Sequence, residues 1–351
     1  MLNFEPGDRL RAEADRIAEA TVARDYARRP LLLERYGDKG RSKYREDILY
    51  NITALSSAVD ADDVAMFLRY VGWLKILLTH RGVAVDDIIE SLRCMTFALR
   101  DDAIGDHEVA ASYLDDAVAR FVSMPDQVES FIGLSEEDGI ARRCLEALIR
   151  LDAPAARETL ENAMAAGLPL GRIYTRVFPP LMREIGRLWQ INEISVAHEH
   201  YCSTAVQTIL AGFYGRLFPA TVPTGCSILV ACVEGEQHEL GARTIADVFE
   251  LNGWQTSFLG ANLPARELVR LIARLRRTPD LIALSATMPS QVVRLASTIA
   301  AIRDGSNIPI IVGGYLFHAS ADLAEKLSAD GCADDADAAL SIANDLVAPP
   351  A

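Results

Sequence analysis

The sequence predicts a protein of several domains, all-α over its first two thirds and α/β over its last third. Up to about residue 220, apolar residues recur at spacings of three and four, which is typical of amphipathic helices. After Pro223, short apolar and β-branched segments alternate with helical ones, as in a parallel, doubly wound sheet. The length of 351 residues exceeds one ordinary core and suits two or three domains.

The first predicted domain, residues 1–132, consists of helices. The segments DRLRAEADRIAEATVARDYARR, DDVAMFLRYVGWLKILLTH and VDDIIESLRCMTFAL show the helical spacing, and aspartates precede several such segments as candidate N-caps. Five or six helices of this length in succession match a globin in number and size. We therefore expect an all-α, globin-like domain.

The second predicted domain, residues 133–220, follows a polar stretch that contains Pro125 and a run of acidic residues. Its helical patterns are GIARRCLEALIRL, PAARETLENAMAAG, a segment interrupted by Pro179-Pro180 that runs to Trp189, and VAHEHYCSTAVQTILAGFYGRL. Four helices in about 85 residues predict a small four-helix bundle.

The third predicted domain, residues 221–351, contains the sheet. The strand candidates are SILVACV, QTSFLGA, DLIALSA and IPIIVGG, and the helical segments GARTIADVFELNG, ARELVRLIARLRR and QVVRLASTIAAIRD lie between them. In such sheets ligands bind at the carboxyl ends of the strands. The residues that follow each strand are therefore the first candidates for a binding site.

Charge and composition exclude some classes of function. A net charge of -14 repels a phosphate backbone, so we expect no direct nucleic-acid partner. The six cysteines form no CxxC pair, which is typical of reduced core cysteines in a cytosolic protein. The N-terminus lacks the apolar segment of a signal peptide, and no stretch approaches the roughly 18 apolar residues of a membrane helix. We expect a cytoplasmic protein without membrane contact.

Three short motifs follow three of the predicted strands. Glu236-Gln237-His238-Glu239-Leu240-Gly241 has the form [Asp/Glu]-x-His-x-x-Gly, Ser285-Ala286-Thr287 ends the third strand, and Gly313-Gly314 ends the fourth. A lone loop histidine is more often a surface or helix-capping residue than a ligand. Here all three motifs lie at the same end of one predicted sheet, which favours a ligand role for His238.

Together the three motifs resemble the cobalamin-binding module of methionine synthase, corrinoid carrier proteins, base-off mutases and light-sensing transcription regulators. The signature of that module is Asp-x-His-x-x-Gly, then Ser-x-Leu, then Gly-Gly. The resemblance covers about residues 223 to 345 and implies a Rossmann-like, flavodoxin-like fold. It also implies that His238 replaces the cofactor's own base as lower cobalt ligand, while the displaced nucleotide tail lies beside the sheet.

The residue types suit that chemistry. Neutral imidazole is a good ligand for a borderline metal, and its second nitrogen needs an acceptor, which Glu236 would provide where most of the family has Asp. Gly241 would let the backbone approach the nucleotide, and Gly313 and Gly314 would leave room for its base. Ser285 would offer that base a hydroxyl. Thr287 stands where the family has Leu and would form a β-branched wall.

A second group of candidates lies in the predicted bundle, at Trp189 and at the adjacent pair Glu199-His200. A helical tryptophan is usually core, and a Glu-His pair usually faces solvent. The pattern resembles the cap of the light-sensing cobalamin repressors, in which a tryptophan stacks over the adenosyl group and a Glu-His pair contacts it. The resemblance implies adenosylcobalamin rather than methylcobalamin. Gln190 stands where those repressors have a second cobalt-ligating histidine, so His198 or His200 would have to substitute.

The first domain contains a third group of candidates. Arg41, Lys43 and Arg45 form a basic cluster, and the next helix carries the remaining members, namely Tyr70, Trp73 and His80. The aromatic stripe can be core and the cluster a solvated loop. Alternatively, cations hold the propionates of a tetrapyrrole and aromatic rings cover it. The domain order resembles the photocobilins, sensors that join a bilin-binding globin-like domain to a cobalamin photoreceptor. That resemblance implies non-covalent biliverdin; heme on His80 is the alternative.

The resemblance therefore implies a light sensor, in which light breaks the cobalt–carbon bond of adenosylcobalamin and the helical cap rearranges to signal. No general acid-base pair or nucleophile constellation indicates an enzyme. The expected partners are a second copy of the chain or a downstream signalling protein. The alternative is a corrinoid carrier of a methyltransferase system, which needs no large N-terminal domain. A mutase subunit is less favoured, since no substrate barrel is present.

Overall fold

The computed structural model describes residues 2–101, 107–216, 222–320 and 322–347. The chain divides into two compact units, one made of Met1–Gln127 with Met288–Val293 and the other of Val128–Thr287 with Arg294–Ala351. The predicted boundary at residues 220 and 221 lies outside the described residues. Within the described ranges, no helix combines the length and apolar character needed to cross a membrane.

The described part of the first unit is built from helices. These are α1 (Glu5–Ala12), α2 (Ala14–Arg28), α3 (Leu31–Asp60), α4 (Val64–Thr79), α5 (Val85–Leu99) and α6 (Glu108–Arg120). Asp63 caps α4 by accepting a hydrogen bond from the Met66 N–H. Helix α3 is kinked at Gly37, whose φ of 62° favours glycine. A core of fully buried side chains, including Ile17, Leu55 and Phe67, joins these helices.

The second unit begins with the helical bundle. Its helices are α7 (Glu136–Ile149), α8 (Ala153–Ala165), α9 (Leu170–Arg172), α10 (Phe178–Gln190) and α11 (Val196–Phe213). Ser135, Asp152 and Ser195 cap α7, α8 and α11 with their side chains. A π-helical turn, Ile173–Val177, joins α9 to α10. The Pro179-Pro180 pair falls in the first turn of α10, where a missing N–H costs nothing.

The α/β part of this unit alternates strands with helices. The elements are β1 (Ser227–Cys232), α12 (Glu239–Leu251), β2 (Gln255–Phe258), α13 (Ala265–Ile272), β3 (Leu281–Ser285), α14 (Val292–Gly305), β4 (Ile310–Gly313), α15 (Leu323–Lys326), β5 (Gly331–Ala333) and α16 (Ala336–Leu346). The five parallel strands have the order β2-β1-β3-β4-β5, which is the flavodoxin-like order. The sequence predicted the first four strands and missed β5.

The bundle shares a hydrophobic core with two helices of the α/β part, α12 and α16, while the strands have a core cluster of their own. Tyr174, Phe178 and Phe213 of the bundle belong to a buried cluster that also contains Val248 of α12 and Ala336 of α16. Polar contacts support this packing, since Arg176 lies 3.1 Å from Asp337 and Gln207 lies 3.1 Å from Glu239. The bundle is therefore packed directly on the α/β part of the same unit.

Candidate cofactor site

The loop after β1 is held in one conformation by its neighbours. Gly235 has a φ of 86°, which lets the chain turn sharply out of the strand. The Glu236 N–H donates to the Val233 carbonyl, and the Gly235 N–H donates to Asn262 Oδ1 at 2.7 Å. The Asn262 N–H in turn donates to the Glu236 carbonyl at 2.9 Å. His238 follows as the N-cap residue of α12, at the carboxyl edge of the sheet.

Glu236 orients the His238 imidazole. Its carboxylate is 0% exposed, and its Oε1 accepts from the His238 N–H at 2.6 Å and lies 2.7 Å from His238 Nδ1. Its Oε2 accepts from the Thr287 N–H at 2.5 Å. A proton on Nδ1 satisfies this contact and leaves Nε2 as the ligand atom of a neutral ring. The His238 side chain is 64% exposed, so a ligand can reach it.

The charges around His238 favour its protonated form in the absence of a metal. The hydrogen bond to Glu236 raises the pKa of His238 against the opposing effect of burial, and the charges of Glu236 and Glu199 add to the rise. Burial raises the pKa of Glu236, but the hydrogen bonds from His238 and Thr287 outweigh it and the net pKa is lowered. A proton and a metal ion therefore compete for the same imidazole.

The ends of β3 and β4 lie beside this loop. Ser285 pairs with Cys232 and with Gly313 in the sheet register. A Cβ at Gly313 would lie 2.8 Å from the Ala333 carbonyl oxygen. Gly314 has a φ of 110°, and a Cβ there would lie 2.2 Å from the Ala286 carbonyl oxygen. Both positions require glycine, because neighbouring carbonyl groups leave no room for a Cβ. The role of the two glycines beside a nucleotide base stays a prediction.

Gly241, in the first turn of α12, differs from these two glycines. A Cβ built there would meet no heavy atom within 4 Å, and the residue is exposed. Its neighbour in the motif, Gln237, is also exposed. The backbone of this turn is therefore open to a ligand.

One stripe of α11 meets the start of α12. Glu199, Ser203 and Gln207 follow each other at intervals of four, so they lie along one face of the helix. Ser203 Oγ donates to Glu199 Oε1 at 2.7 Å, and the Gln207 amide donates to Glu239. His200 Nδ1 lies 2.7 Å from Glu199 Oε2, and its side chain is 74% exposed. The structure thus brings Glu199 into electrostatic range of His238.

Trp189 lies at the end of α10 and is partly buried against the bundle core. Gln190, the residue that follows it, is 6% exposed. His198 is held by Ser195, whose Oγ lies 2.8 Å from His198 Nδ1. Both the core role and the predicted stacking role of Trp189 are compatible with a half-buried ring.

The three cations of the predicted basic cluster all lie on α3, but they contact residues of different helices. Arg41 lies over the Tyr26 ring, 5.4 Å from its centroid, and Arg45 forms ion pairs with two acidic residues of α2, Asp15 and Glu19. Lys43 instead lies 3.4 Å from Asp47 and 5.9 Å from the Tyr50 ring centroid. The three cations of the predicted cluster therefore have different partners.

The aromatic residues of α4 do form a ladder. The Tyr70 and Trp73 rings stack with centroids 6.2 Å apart, and Tyr70 Oη donates to Asn51 Oδ1 at 2.8 Å. Burial raises the pKa of Tyr70, and the charge of Asp47 adds to the rise. His80 Nδ1 lies 2.8 Å from the Ile76 carbonyl oxygen at the end of the helix. Asp47, which pairs with Lys43, is a charged group whose field reaches this ladder.

A cavity of about 1020 Å³ lies between the bundle and the loops after β4 and β5. Its lining includes Arg172, Arg176, Arg183, His318 and Asp334. No sequence pattern indicated these residues, because they come from separate parts of the chain and form no motif. Asn262 was not predicted either, although an asparagine shortly after a strand is typical of a tight turn.

The donor set fits a corrin cofactor. In the part of the chain that the structure describes, no group of three or more His, Cys, Asp or Glu side chains is arranged to hold a metal ion. A corrin supplies its own equatorial nitrogens, so the protein needs to provide only one axial ligand. The oriented imidazole of His238, its buried carboxylate and the open backbone at Gly241 meet that need.

Two parts of the chain match known family models. Residues 226–343 match a model described as B12 binding domain, and residues 140–211 match a second model with the same description. The first match contains the His238 loop and the strand ends, and the second contains Trp189, Glu199 and His200. The two matches support a cobalamin-binding family.

Curated relatives include two repressors of Myxococcus xanthus. The chain is 34% identical over 136 residues to the HTH-type transcriptional repressor CarA, covering 38% of this chain and 44% of the relative. It is 27% identical over 179 residues to the HTH-type transcriptional repressor CarH, covering 50% and 58%. The chain thus spans about half the length of these relatives. The expectation that the protein has no nucleic-acid partner gains no support from them.

A similar solved structure is that of the monomethylamine corrinoid protein of Methanosarcina barkeri. The TM-score is 0.53 at 20% sequence identity, and the match covers 60% of this chain and all of the other, 100%. This likeness shows the fold alone, a helical bundle followed by a parallel sheet. The two curated relatives are both named as transcriptional repressors.

Proposed function

We propose that the protein is a cobalamin-dependent light sensor that binds adenosylcobalamin between its helical bundle and the carboxyl edge of its sheet. The observation that carries this proposal is the fully buried carboxylate of Glu236, which lies 2.7 Å from His238 Nδ1 and leaves Nε2 available. Oriented imidazoles of this kind are typical of metal ligands. Both sides of the proposed site fall within the B12 binding domain matches.

On the lower side, His238 would bind the cobalt and Glu236 would fix the orientation of its ring. The Thr287 N–H donates to the other carboxylate oxygen of Glu236, so Thr287 helps to position the His238 ring through Glu236. Gly241 lets the nucleotide tail approach the backbone, and the hydroxyl of Ser285 binds its base. Gly313 and Gly314 keep the strand ends close together beneath that base.

On the upper side, Trp189 covers the adenosyl group with its flat apolar face. Glu199 accepts hydrogen bonds from a ribose hydroxyl or an adenine amine, and His200 completes the contact. When bound, the cofactor supplies a cobalt–carbon bond that light breaks. The bundle shields that bond in the dark and rearranges when its upper-face contacts are lost, which alters association with a second copy or a downstream signalling protein.

The test is to record the absorbance of the purified protein with adenosylcobalamin in the dark and after illumination. We expect a bound corrin spectrum that changes with light. His238→Ala should shift the bound cofactor to a spectrum without imidazole ligation and weaken binding by at least about tenfold. His318→Gln changes another imidazole of the same domain and serves as the matched control. A wild-type spectrum in His238→Ala would contradict the assignment of the ligand.

A corrinoid carrier is the second candidate function, because the chain contains the complete fold of the monomethylamine corrinoid protein. The two functions differ in the upper group. A carrier should transfer the methyl group of bound methylcobalamin to a thiol acceptor when supplied with a partner methyltransferase, and it should show no preference for adenosylcobalamin. Turnover of this kind without any light-dependent spectrum would favour the carrier.

For the N-terminal unit we propose a biliverdin site on the α4 face that carries Tyr70 and Trp73, with Lys43 as the cation for a propionate. The stacked rings support the proposal, and Asp47 links the two parts of the site, since it pairs with Lys43 and its charge acts on Tyr70. Titration with biliverdin should give a red-absorbing complex, and Trp73→Ala should weaken it by about tenfold. Phe97→Ala removes an exposed aromatic ring elsewhere in the same unit and is the control. Absence of a red-absorbing complex with the wild-type chain would refute the site.

A further inference from the structure

The segment from Met124 to Leu134 has no helix or strand, yet buried charged side chains hold it at two places. It follows the turn Phe121–Ser123 of the first unit and leads to α7 of the second. A connecting segment usually lies on the surface and is held weakly. The two attachments are therefore informative about what the segment does.

Lys75 holds the beginning of the segment within the first unit. Its side chain is only 2% exposed, and its Nζ donates to the Met124 carbonyl oxygen at 2.6 Å. The same Nζ lies 2.8 Å from Asp126 Oδ1 and 5.5 Å from the Phe121 ring centroid. A buried ammonium needs such partners, so releasing Met124 and Asp126 would leave an unpaired charge in the core.

Glu184 and Arg187 hold the next residues within the second unit. Glu184 is 4% exposed, and Arg187 binds its two carboxylate oxygens at 2.6 and 3.0 Å. The Phe131 N–H donates to Glu184 Oε2 at 2.9 Å, and Arg187 Nη1 donates to the Val128 carbonyl oxygen at 3.4 Å. Burial raises the pKa of Glu184, but the hydrogen bonds from Arg187 and the Phe131 N–H outweigh it. The net pKa is therefore lowered, and the carboxylate stays ionised. This pair is a second firm attachment.

Both residues of the second attachment belong to α10, the helix that ends with Trp189 and Gln190. A helical residue turns by about 100°, so Trp189 lies about 140° around the axis from Glu184. Leu181 and Ile185 of the same helix are buried in the bundle core. One side of α10 thus binds the segment while a nearly opposite side carries the proposed adenosyl-covering ring.

The two attachments leave almost no free chain between them. Asp126 and Val128 are two residues apart and span at most about 7 Å when extended. A displacement of α10 by more than a few ångströms must therefore move Asp126 and Met124 as well, or break one attachment.

We propose that α10 and the segment Met124–Phe131 couple the upper face of the cofactor to the N-terminal unit. The inference rests on the proposed function, since it takes Trp189 as the ring that senses the upper group. When the contacts of that ring change, α10 moves, its Glu184–Arg187 pair pulls on Val128 and Phe131, and Lys75 passes the displacement into the first unit.

Hydrogen–deuterium exchange of the full chain tests this coupling. The chain is measured without cofactor, with adenosylcobalamin in the dark and after illumination, and the absorbance of each sample is recorded. In the wild type, amide exchange over residues 121–131 should differ between states by about tenfold or more, the effect of gaining or losing a hydrogen bond to a charged group.

Two variants separate the attachments. Lys75→Met and Asp126→Asn should keep the state-dependent change at residues 128–131 and lose it at residues 121–126. Asp126 is 79% exposed, so its variant keeps the test valid if Lys75→Met does not fold. Asp115→Asn alters another exposed ion pair of the same unit, with Arg100, and should behave as wild type.

The outcomes distinguish the two proposals. If absorbance reports bound cofactor and its photolysis while exchange over 121–131 is identical in every state, the coupling is refuted and the sensor survives. If both variants transmit the change to residues 121–126 as the wild type does, the coupling is refuted as well. If no corrin spectrum appears, the proposed function fails, and the coupling fails with it.

Discussion

The second unit contains two Glu-His pairs that are built differently, one on the sheet and one on the bundle. Glu236 is fully buried and accepts hydrogen bonds from two backbone N–H groups in addition to its contact with His238. Glu199 is 29% exposed, and within the described part of the chain its carboxylate contacts two side chains, those of its neighbour His200 and of Ser203. The first pair suits a fixed metal ligand, whereas the second suits contacts that are made and released.

The largest expected effect is that of Glu236→Ala. The variant removes the buried acceptor of two backbone donors, and breaking such a buried interaction costs about 3 kcal/mol or more. Glu199→Ala removes a partly exposed side chain, so the loss should stay below about 1 kcal/mol. Urea unfolding of the protein without cofactor checks both values. Equal losses in the two variants would remove the distinction between the pairs.

Gly241→Ala should separate stability from binding. Because open space surrounds this position within the first turn of α12, the substitution should stabilise the protein without cofactor by about 0.5 kcal/mol. It should also weaken adenosylcobalamin binding by about tenfold if the nucleotide tail approaches the backbone there. Gly314→Ala is the contrasting variant, since it collides with the Ala286 carbonyl and must destabilise the fold. Unchanged affinity of Gly241→Ala for adenosylcobalamin would show that the nucleotide tail does not bind against the backbone at Gly241.

The pH dependence of stability tests the electrostatic link between Glu236 and His238. The raised pKa of His238 contributes stability that is present below its ordinary value of 6.5 and is lost as pH rises through the raised pKa. The lowered pKa of Glu236 contributes stability that is present above 4.5 and is lost as pH falls through the lowered pKa. In the protein without cofactor, the stability difference between wild type and Glu236→Gln should therefore be greatest between pH 4.5 and 6.5. A difference that does not vary with pH would show that the pair is not ionised.

The smallest expected effect concerns Glu199 acting on His238 across the site. Glu199→Gln removes one of the charges that raise the pKa of His238, so that pKa should fall, but by less than in Glu236→Gln. Proton NMR titration of the imidazole measures both variants, and Glu193→Gln is the control for a general change in charge. If the pKa of His238 does not fall in Glu199→Gln, Glu199 of the bundle does not act electrostatically on His238.

Much of this architecture follows from local sequence pattern. Helical spacing predicted α5 over its full extent, and the β-branched segments predicted β1 to β4 and their parallel arrangement. The short strand β5, Gly331–Ala333, was missed because three small residues show neither alternation nor β-branching. Motif spacing also predicted that the His238 loop and the ends of β3 and β4 share one edge, as the sheet register shows.

Other features depend on which helix faces which, and periodicity does not contain that information. Arg41 and Arg45 turn toward α2 while Lys43 lies near Asp47, although the three are close in sequence. The contact of Gln207 with Glu239 joins residues far apart in the chain and could not be predicted from either neighbourhood. Such pairings are decided by tertiary packing.

The position of Glu236 has a kinetic consequence. Its carboxylate contacts His238 and Thr287, and its backbone carbonyl accepts from Asn262, so this one residue joins the loops after β1, β2 and β3. These loops are therefore ordered before any cofactor arrives, and the entropy of arranging the imidazole is lost during folding rather than at encounter. Association should be limited by access past the bundle, and dissociation by rupture of one metal–nitrogen bond rather than by collapse of the loops.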